Sequence, residues 1–294
     1  MTAVSRLRQG SNGQTNDATT ADDRPKLVQP YLDWLEETWQ GDMRELRKGR
    51  YLHQQADLRH EFETSRYWLE VAAKLPGWAD SYRKKTKSPL FQGVPTLPNL
   101  LNKSWLSFLN RTWRQNLGNR EDWKSPPKDG WWLPDNWFER AWDIVRTRFV
   151  VRDLDGAGAL AAELRDLAQS RRFRLDARVD PEAKPNGYYG YHVYIGQKFK
   201  VAALDYQEEQ DRSSKIEIQV MTQMAEVISE LSHPYYEQRR KSGAAQELPL
   251  LDPMSEEADA VGLGHQSREL ERKVLQLRRK MREAEAKAPE ERPE

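Results

Sequence analysis

The chain has 294 residues, and 47 Lys and Arg balance 46 Asp and Glu to a net charge of +1, so no global charge draws it onto nucleic acid and any such binding needs a local patch. It has no cysteine, which excludes disulfides, thiolate metal sites and cysteine nucleophiles and fits a reducing, cytoplasmic location. No apolar run of membrane-spanning length is visible, so no membrane partner is expected, and 11 Trp argue against a wholly disordered chain.

The first 27 residues are rich in Ser, Thr, Asn, Gln, Gly and Asp. They bury too little apolar surface to offset ordering entropy, so a disordered tail is expected. A helical region is expected over 28–95. Leu35, Trp39 and Met43 make one apolar stripe and Leu58, Phe62 and Leu69 another, in two or three helices ending near Pro76-Gly77. Ser88 to Asn102 reads as loop and Lys103 to Gln115 as helix, followed by an irregular Trp-rich insert over 116–135. Asp143 to Val151 reads as a strand and Leu154 to Gln169 as a helix. Phe173–Arg178, Tyr189–Ile195, Lys198–Leu204 and Ile216–Val220 are further strands, and Thr222 to Tyr236 is a helix. This alternation predicts a mixed α/β (α+β) fold, one domain over 96–245 built on a mixed sheet. A linker over 246–264 and a charged C-terminal helix and tail over 265–294 complete the chain. Leu270, Val274, Leu277 and Met281 form a seam of about two heptads on that helix, fit for packing, for a homo-oligomer or regulatory partner, or for folding back over an active site.

Three segments carry candidate chemistry. On a helix, Lys103, Ser107, Arg111 and Arg114 fall at i, i+4, i+8 and i+11, one stripe able to grip a polyphosphate or simply to face water. In a strand, Asp143 and Thr147 share one face and Arg146 and Arg148 the other. A carboxylate in so apolar a strand needs a partner, either a divalent cation or an Arg. Glu217 and Gln219 share a face of a further strand, and Asp143 and Glu217 can share a Mg²⁺ if the two strands are neighbours.

Lys-x3-Ser-x3-Arg-x2-Arg, Asp-Ile-x3-Arg, Lys184-Pro185-Asn186-Gly187-Tyr188-x3-His192, Glu217-Ile218-Gln219 and a later His233 occur in one order. In that order they resemble the synthetase domain of the RelA/SpoT family, over Lys103 to Tyr236, less than half of the chain. The resemblance implies a nucleotidyltransferase-like synthetase core and transfer of the β,γ-pyrophosphate of ATP to the 3′-hydroxyl of GDP or GTP, with Mg²⁺ as cofactor. By resemblance Lys103, Ser107, Arg111 and Arg114 hold ATP phosphates, while Arg148 and Arg178 flank the adenine. Asp143 and Glu217 carry the metal, and Glu217 with Gln219 helps activate the attacking hydroxyl. Lys184, Asn186, Tyr188, His192 and His233 face the acceptor.

The sequence departs from the family pattern at Leu101, Tyr189, Gly190, Met221 and Ser232, mainly around the acceptor. Pyrophosphorylation of the tRNA 3′ end or of another nucleotide, as a growth-arresting toxin, is therefore the alternative. A degenerate nucleotide-binding module without catalysis is the third reading. No His-Asp metal motif of the family's hydrolases is visible among the 5 His, so a synthetase without a hydrolase domain is expected.

Overall fold

The computed structural model describes residues 25–118, 120–202, 204, 209–242 and 255–287. Residues 1–24 of the expected tail and 246–254 of the expected linker lie outside the described residues. Helices α1 (Gln29–Thr38), α2 (Lys48–Glu63) and α3 (Arg66–Thr86) lead into strand β1 (Leu101–Asn102) and helix α4 (Trp105–Trp113). Then follow α5 (Trp137–Arg140), β2 (Val145–Val151), α6 (Leu154–Gln169), β3 (Ala177–Ala183), β4 (Tyr189–Ala202), β5 (Glu209–Thr222), α7 (Gln223–Ser242) and α8 (Glu256–Lys287).

The fold is mixed α/β, with a five-stranded sheet in the order β1-β2-β5-β4-β3. β5 runs parallel to β2 and antiparallel to β4, so it is the central strand. β2 alternates buried Val145, Thr147, Phe149 and Val151 with half-buried Arg146, Arg148 and Val150. Ile216, Ile218 and Val220 of β5 and Val193 and Ile195 of β4 extend the apolar face, as the period of two demands. Helices cover that face: Trp68 of α3 meets Phe149, Tyr191 closes over Gly158 of α6, and Tyr67 of α3 donates to the Leu164 carbonyl. The opposite face of the sheet is polar. One hydrophobic core runs from Tyr31 through Val220, so the N-terminal helices and the sheet share it.

Several elements differ from the expected ones. α3 continues through Pro76-Gly77 to Thr86, because Leu75 and Tyr82 are buried on either side and hold the helix against its neighbours. The helix is capped by Ser65 at its start, and Lys87 in the left-handed region ends it. Leu69 is 57% exposed and leaves the Leu58–Phe62 stripe, since the Thr64-Ser65 turn separates the two helices. Met43 lies in a separate 3-10 turn after α1. Phe173 belongs to the turn after α6 and not to a strand; β3 starts at Ala177 and tolerates Pro181 because it is an edge strand. The two strands expected over Tyr189–Ile195 and Lys198–Leu204 are one, β4, paired with β5 without a break. α8 starts at Glu256, inside the expected linker.

Two polar side chains of α2 reach through the core. Tyr51 donates to the Lys103 carbonyl at 2.9 Å, and the Gln55 amide lies 2.9 Å from the carbonyls of both Lys103 and Ile144. Both are buried, so the bonds have no competing water. Gln55→Leu strips donors from buried carbonyls and is expected to cost about 1–3 kcal/mol in chemical denaturation. A variant as stable as the parent would show that these bonds do not hold α2 to the β1–β2 edge.

Candidate active site

The register of three strands assembles the polar face. Arg146 of β2, Glu217 of β5 and Tyr194 of β4 form one row, continued by Arg178 on β3. Arg148, Gln219, His192 and Asp180 form the next. Paired residues point the same way, so two rows of cations, amide, carboxylate and rings lie side by side.

Glu217 and His192 are both 6% exposed. His192 Nδ1 lies 2.9 Å from Glu217 Oε1, and the Tyr188 hydroxyl 2.8 Å from His192 Nε2. Gln219 donates to Glu217 Oε2 at 3.0 Å, and Tyr194 donates to Oε1 at 3.4 Å. Burial pushes the Tyr188 hydroxyl well up, helped by the Glu217 charge, so at neutral pH it stays protonated and donates to His192. The imidazole then carries its proton on Nδ1 and gives it to the carboxylate. Burial alone would raise the Glu217 carboxyl, but the hydrogen bond from His192 holds it below its ordinary value.

The second cluster lies at the start of β2. Asp143 stands in a turn, two residues before the strand, and not on the strand as expected. Thr147 is therefore not its face-mate: it is buried on the apolar side and donates to the Asn99 carbonyl. Lys103 lies before the α4 N-cap Ser104, so the expected four-residue helical stripe keeps Ser107 and Arg111 on α4, with Arg114 in the π turn Arg114–Gly118 that follows. Lys103 still joins Arg111 across space. Its Nζ donates to Asp143 Oδ2 at 2.6 Å, and Arg111 ion-pairs with Oδ1 at 2.9 Å. Burial would raise the Asp143 carboxyl, but Lys103 and Arg111 together pull it below its usual range. Burial lowers the Lys103 ammonium, with Asp143 opposing.

Asp143 Oδ1 has no hydrogen bond among the described residues, since Arg111 meets it off the hydrogen-bond direction. The charges of Asp143 and Glu217 also repel each other. Two buried carboxylates, one with an oxygen held by the Arg111 charge but by no hydrogen bond, could serve a Mg²⁺ whose other ligands are phosphate oxygens and water. Among the described residues no group of three or more His, Asp or Glu could hold a metal on its own.

Other expected site residues are dispersed. Arg148 pairs with Glu226 of α7 at 3.6 Å, whereas Arg178 binds Asp180 and stacks on Trp142 and Tyr194. They stand three strand spacings apart, about 14 Å, and each has its own partners here. Lys184 covers the Tyr188 ring, and Asn186 accepts from the Tyr188 amide. His233 is exposed on the second half of α7. Arg146, Tyr194 and Trp142 were not expected in the site. Arg146 carried a signal, since it shares the period-two face of Arg148; Trp142 carried none.

Because the native carboxyl of Asp143 lies below its unfolded value, the pair's contribution to stability is complete above the ordinary range near pH 4 and is lost as pH falls through the depressed value. Asp143→Asn is expected to flatten the loss of stability on acidification below about pH 4. Denaturation midpoints at several pH values check this, and equal slopes in the two proteins would refute it.

No protein-family model and no curated protein matches the chain. Among the described residues no helix is long and apolar enough to cross a membrane. Solved structures do match. Small alarmone synthetase 1 from Bacillus subtilis is 17% identical, over 73% of this chain and 91% of that one, with a TM-score of 0.45. The same enzyme bound to its product pppGpp is 16% identical over 75% and 96%, with a TM-score of 0.46. A GTP pyrophosphokinase family protein from Streptococcus pneumoniae is 18% identical over 77% and 96%, with a TM-score of 0.44.

Proposed function

We propose that the protein transfers the β,γ-pyrophosphate of ATP to the 3′-hydroxyl of a guanosine nucleotide, GDP or GTP. The observation that carries this reading is the register that sets Arg146, Glu217 and Tyr194 in one row and Arg148, Gln219 and His192 in the next, at the edge where Lys103 and Arg111 hold Asp143. The order of the motifs along the chain supports it independently.

Lys103, Ser107, Arg111, Arg114, Arg146 and Arg148 bind the donor. Without substrate, the cations at Asp143 are satisfied by the carboxylate; triphosphate oxygens offer them charge-assisted bonds in exchange. Asp143 and Glu217 would then hold Mg²⁺, which supplies neutralisation of phosphate charge. Tyr188 offers its ring to the acceptor base, with Lys184, Asn186 and His192 around it.

The acceptor oxygen forms a bond to the β-phosphorus. The bond from that phosphorus to the α–β bridging oxygen breaks, and AMP leaves. The hydroxyl proton passes to Glu217. Its depressed carboxyl is a weak base, which suits a loose transition state in which positioning and charge matter more than early proton removal. His192 and Gln219 keep that carboxylate aimed.

An observation bears on the tRNA alternative. Tyr189, which stands where the family carries Arg, has its hydroxyl 2.7 Å from His265 and its ring under Arg268, so α8 takes up one of the rings that an unpaired terminal base would need. The test is purified protein and Glu217→Ala with γ-³²P-ATP, Mg²⁺ and, separately, GDP, GTP, ATP and tRNA. Label is expected in a guanosine product, reduced at least about 100-fold in the variant. Label in tRNA instead would establish the alternative acceptor, and ATP binding without label in any acceptor would overturn the catalytic reading.

A further inference from the structure

The C-terminal helix carries no motif of the site, yet it is fastened onto the loop that presents Tyr188. Gly187 is buried in the left-handed region at φ +78, and a Cβ there would lie 2.8 Å from the Val261 carbonyl. A Cβ on Gly264 would lie 2.5 Å from the Gly187 carbonyl. The two glycines thus let α8 and the loop touch backbone to backbone, which any side chain would prevent. His265, next to Gly264, uses both ring nitrogens: Nε2 lies 3.1 Å from the Pro185 carbonyl and Nδ1 lies 2.7 Å from the Tyr189 hydroxyl. A neutral ring serves both, donating from Nε2 and accepting at Nδ1. Arg268 lies over the Tyr189 ring.

The far end of the helix is anchored elsewhere. Arg278 binds both oxygens of Asp155 at 2.8 Å, Asp153, and the Tyr82 hydroxyl at 3.3 Å. These partners start α6 and end α3, so α8 spans from the rigid helical layer to the acceptor loop. The loop is otherwise a short turn, closed by Gly187 N–H to the Lys184 carbonyl and Lys184 N–H to the Tyr188 carbonyl. Among the described residues its side-chain hydrogen bond inward is Tyr188 to His192, and through it to Glu217.

We propose that α8 is a clamp that sets the acceptor loop, with His265 as a positioning residue for acceptor binding through Pro185 and Tyr189. Among the described residues no hydrogen bond or ion pair joins it to the Lys103–Asp143–Arg111 cluster or to the β2 arginines, so its effect falls on the acceptor and not on ATP. The kinetic part of this inference rests on the pyrophosphate-transfer reading; the structural part does not.

The experiment compares the full chain with His265→Ala and His265→Gln. His265→Ala is expected to raise the acceptor KM about tenfold with the ATP KM unchanged within about twofold. Gln can donate to one oxygen and accept from the other, so His265→Gln is expected to restore most of the loss. Amide hydrogen exchange of Lys184 and Gly187 is expected to quicken in the Ala variant and not in the Gln variant. Equal changes in both KM values would mark a general structural role and overturn the proposal. So would unchanged loop exchange, or faster exchange with an unchanged acceptor KM. If the parent protein transfers no label to any acceptor, the reading of the reaction falls while the exchange experiment still decides whether His265 clamps the loop.

Discussion

Burying two carboxylates near each other is costly, and much of this molecule's arrangement follows from how each is compensated. Asp143 is answered by Lys103 and Arg111, which reach it from before and along α4. Glu217 is answered by His192, Gln219 and Tyr194, which the pairing of β4 and β5 places around it. At each site these partners oppose burial, which by itself raises the carboxyl. The two clusters meet because β5 lies beside β2 in a parallel register.

The rest of the fold holds that arrangement still. α2 fixes the backbone of Lys103 and Ile144 from below through Tyr51 and Gln55, so the cation and the carboxylate are set by the same two buried side chains. α3 and α6 cover the apolar face of the sheet, and α6 supplies the carboxylates that anchor α8. α8 closes on the Lys184–Tyr188 turn from outside. The pyrophosphate transfer proposed above would draw on such a frame, because cations that are already aimed need no reorganisation when charge moves.

The helical and strand periods made much of the fold legible. α6 spans Leu154–Gln169 as its Ala/Leu pattern predicts, and the polar-apolar alternation of β2 is plain. Other parts were hidden by local chemistry. Gly196-Gln197 resembles a turn, yet β4 runs through it because Gln197 pairs with Ser214 and Gly196 donates to the Asp176 carbonyl. Pro181 disguised β3, and Pro76 disguised the second half of α3. In the site, the residue types and their order were legible, including Lys103, Asp143, Tyr188, His192, Glu217 and Gln219. The elements that carry Lys103 and Asp143 were not, because a residue one or two places outside a helix or strand looks the same in sequence as one inside it.

By itself the sequence determined which chemical groups are present and in what order, and which of them share a face once they lie within one strand or helix, since that follows from periods of two and of 3.6 residues. The tertiary structure alone decided which groups meet. Glu217 finds Arg146 and Tyr194 through the pairing of distant strands; Lys103 finds Asp143 across the β1–β2 edge; His265 finds Pro185 where α8 meets the Lys184–Tyr188 turn. Such contacts join segments far apart in the chain, and no local propensity encodes them. They form because burying the sheet's apolar face against α2, α3 and α6 leaves the strands one register, and that register brings the polar face together.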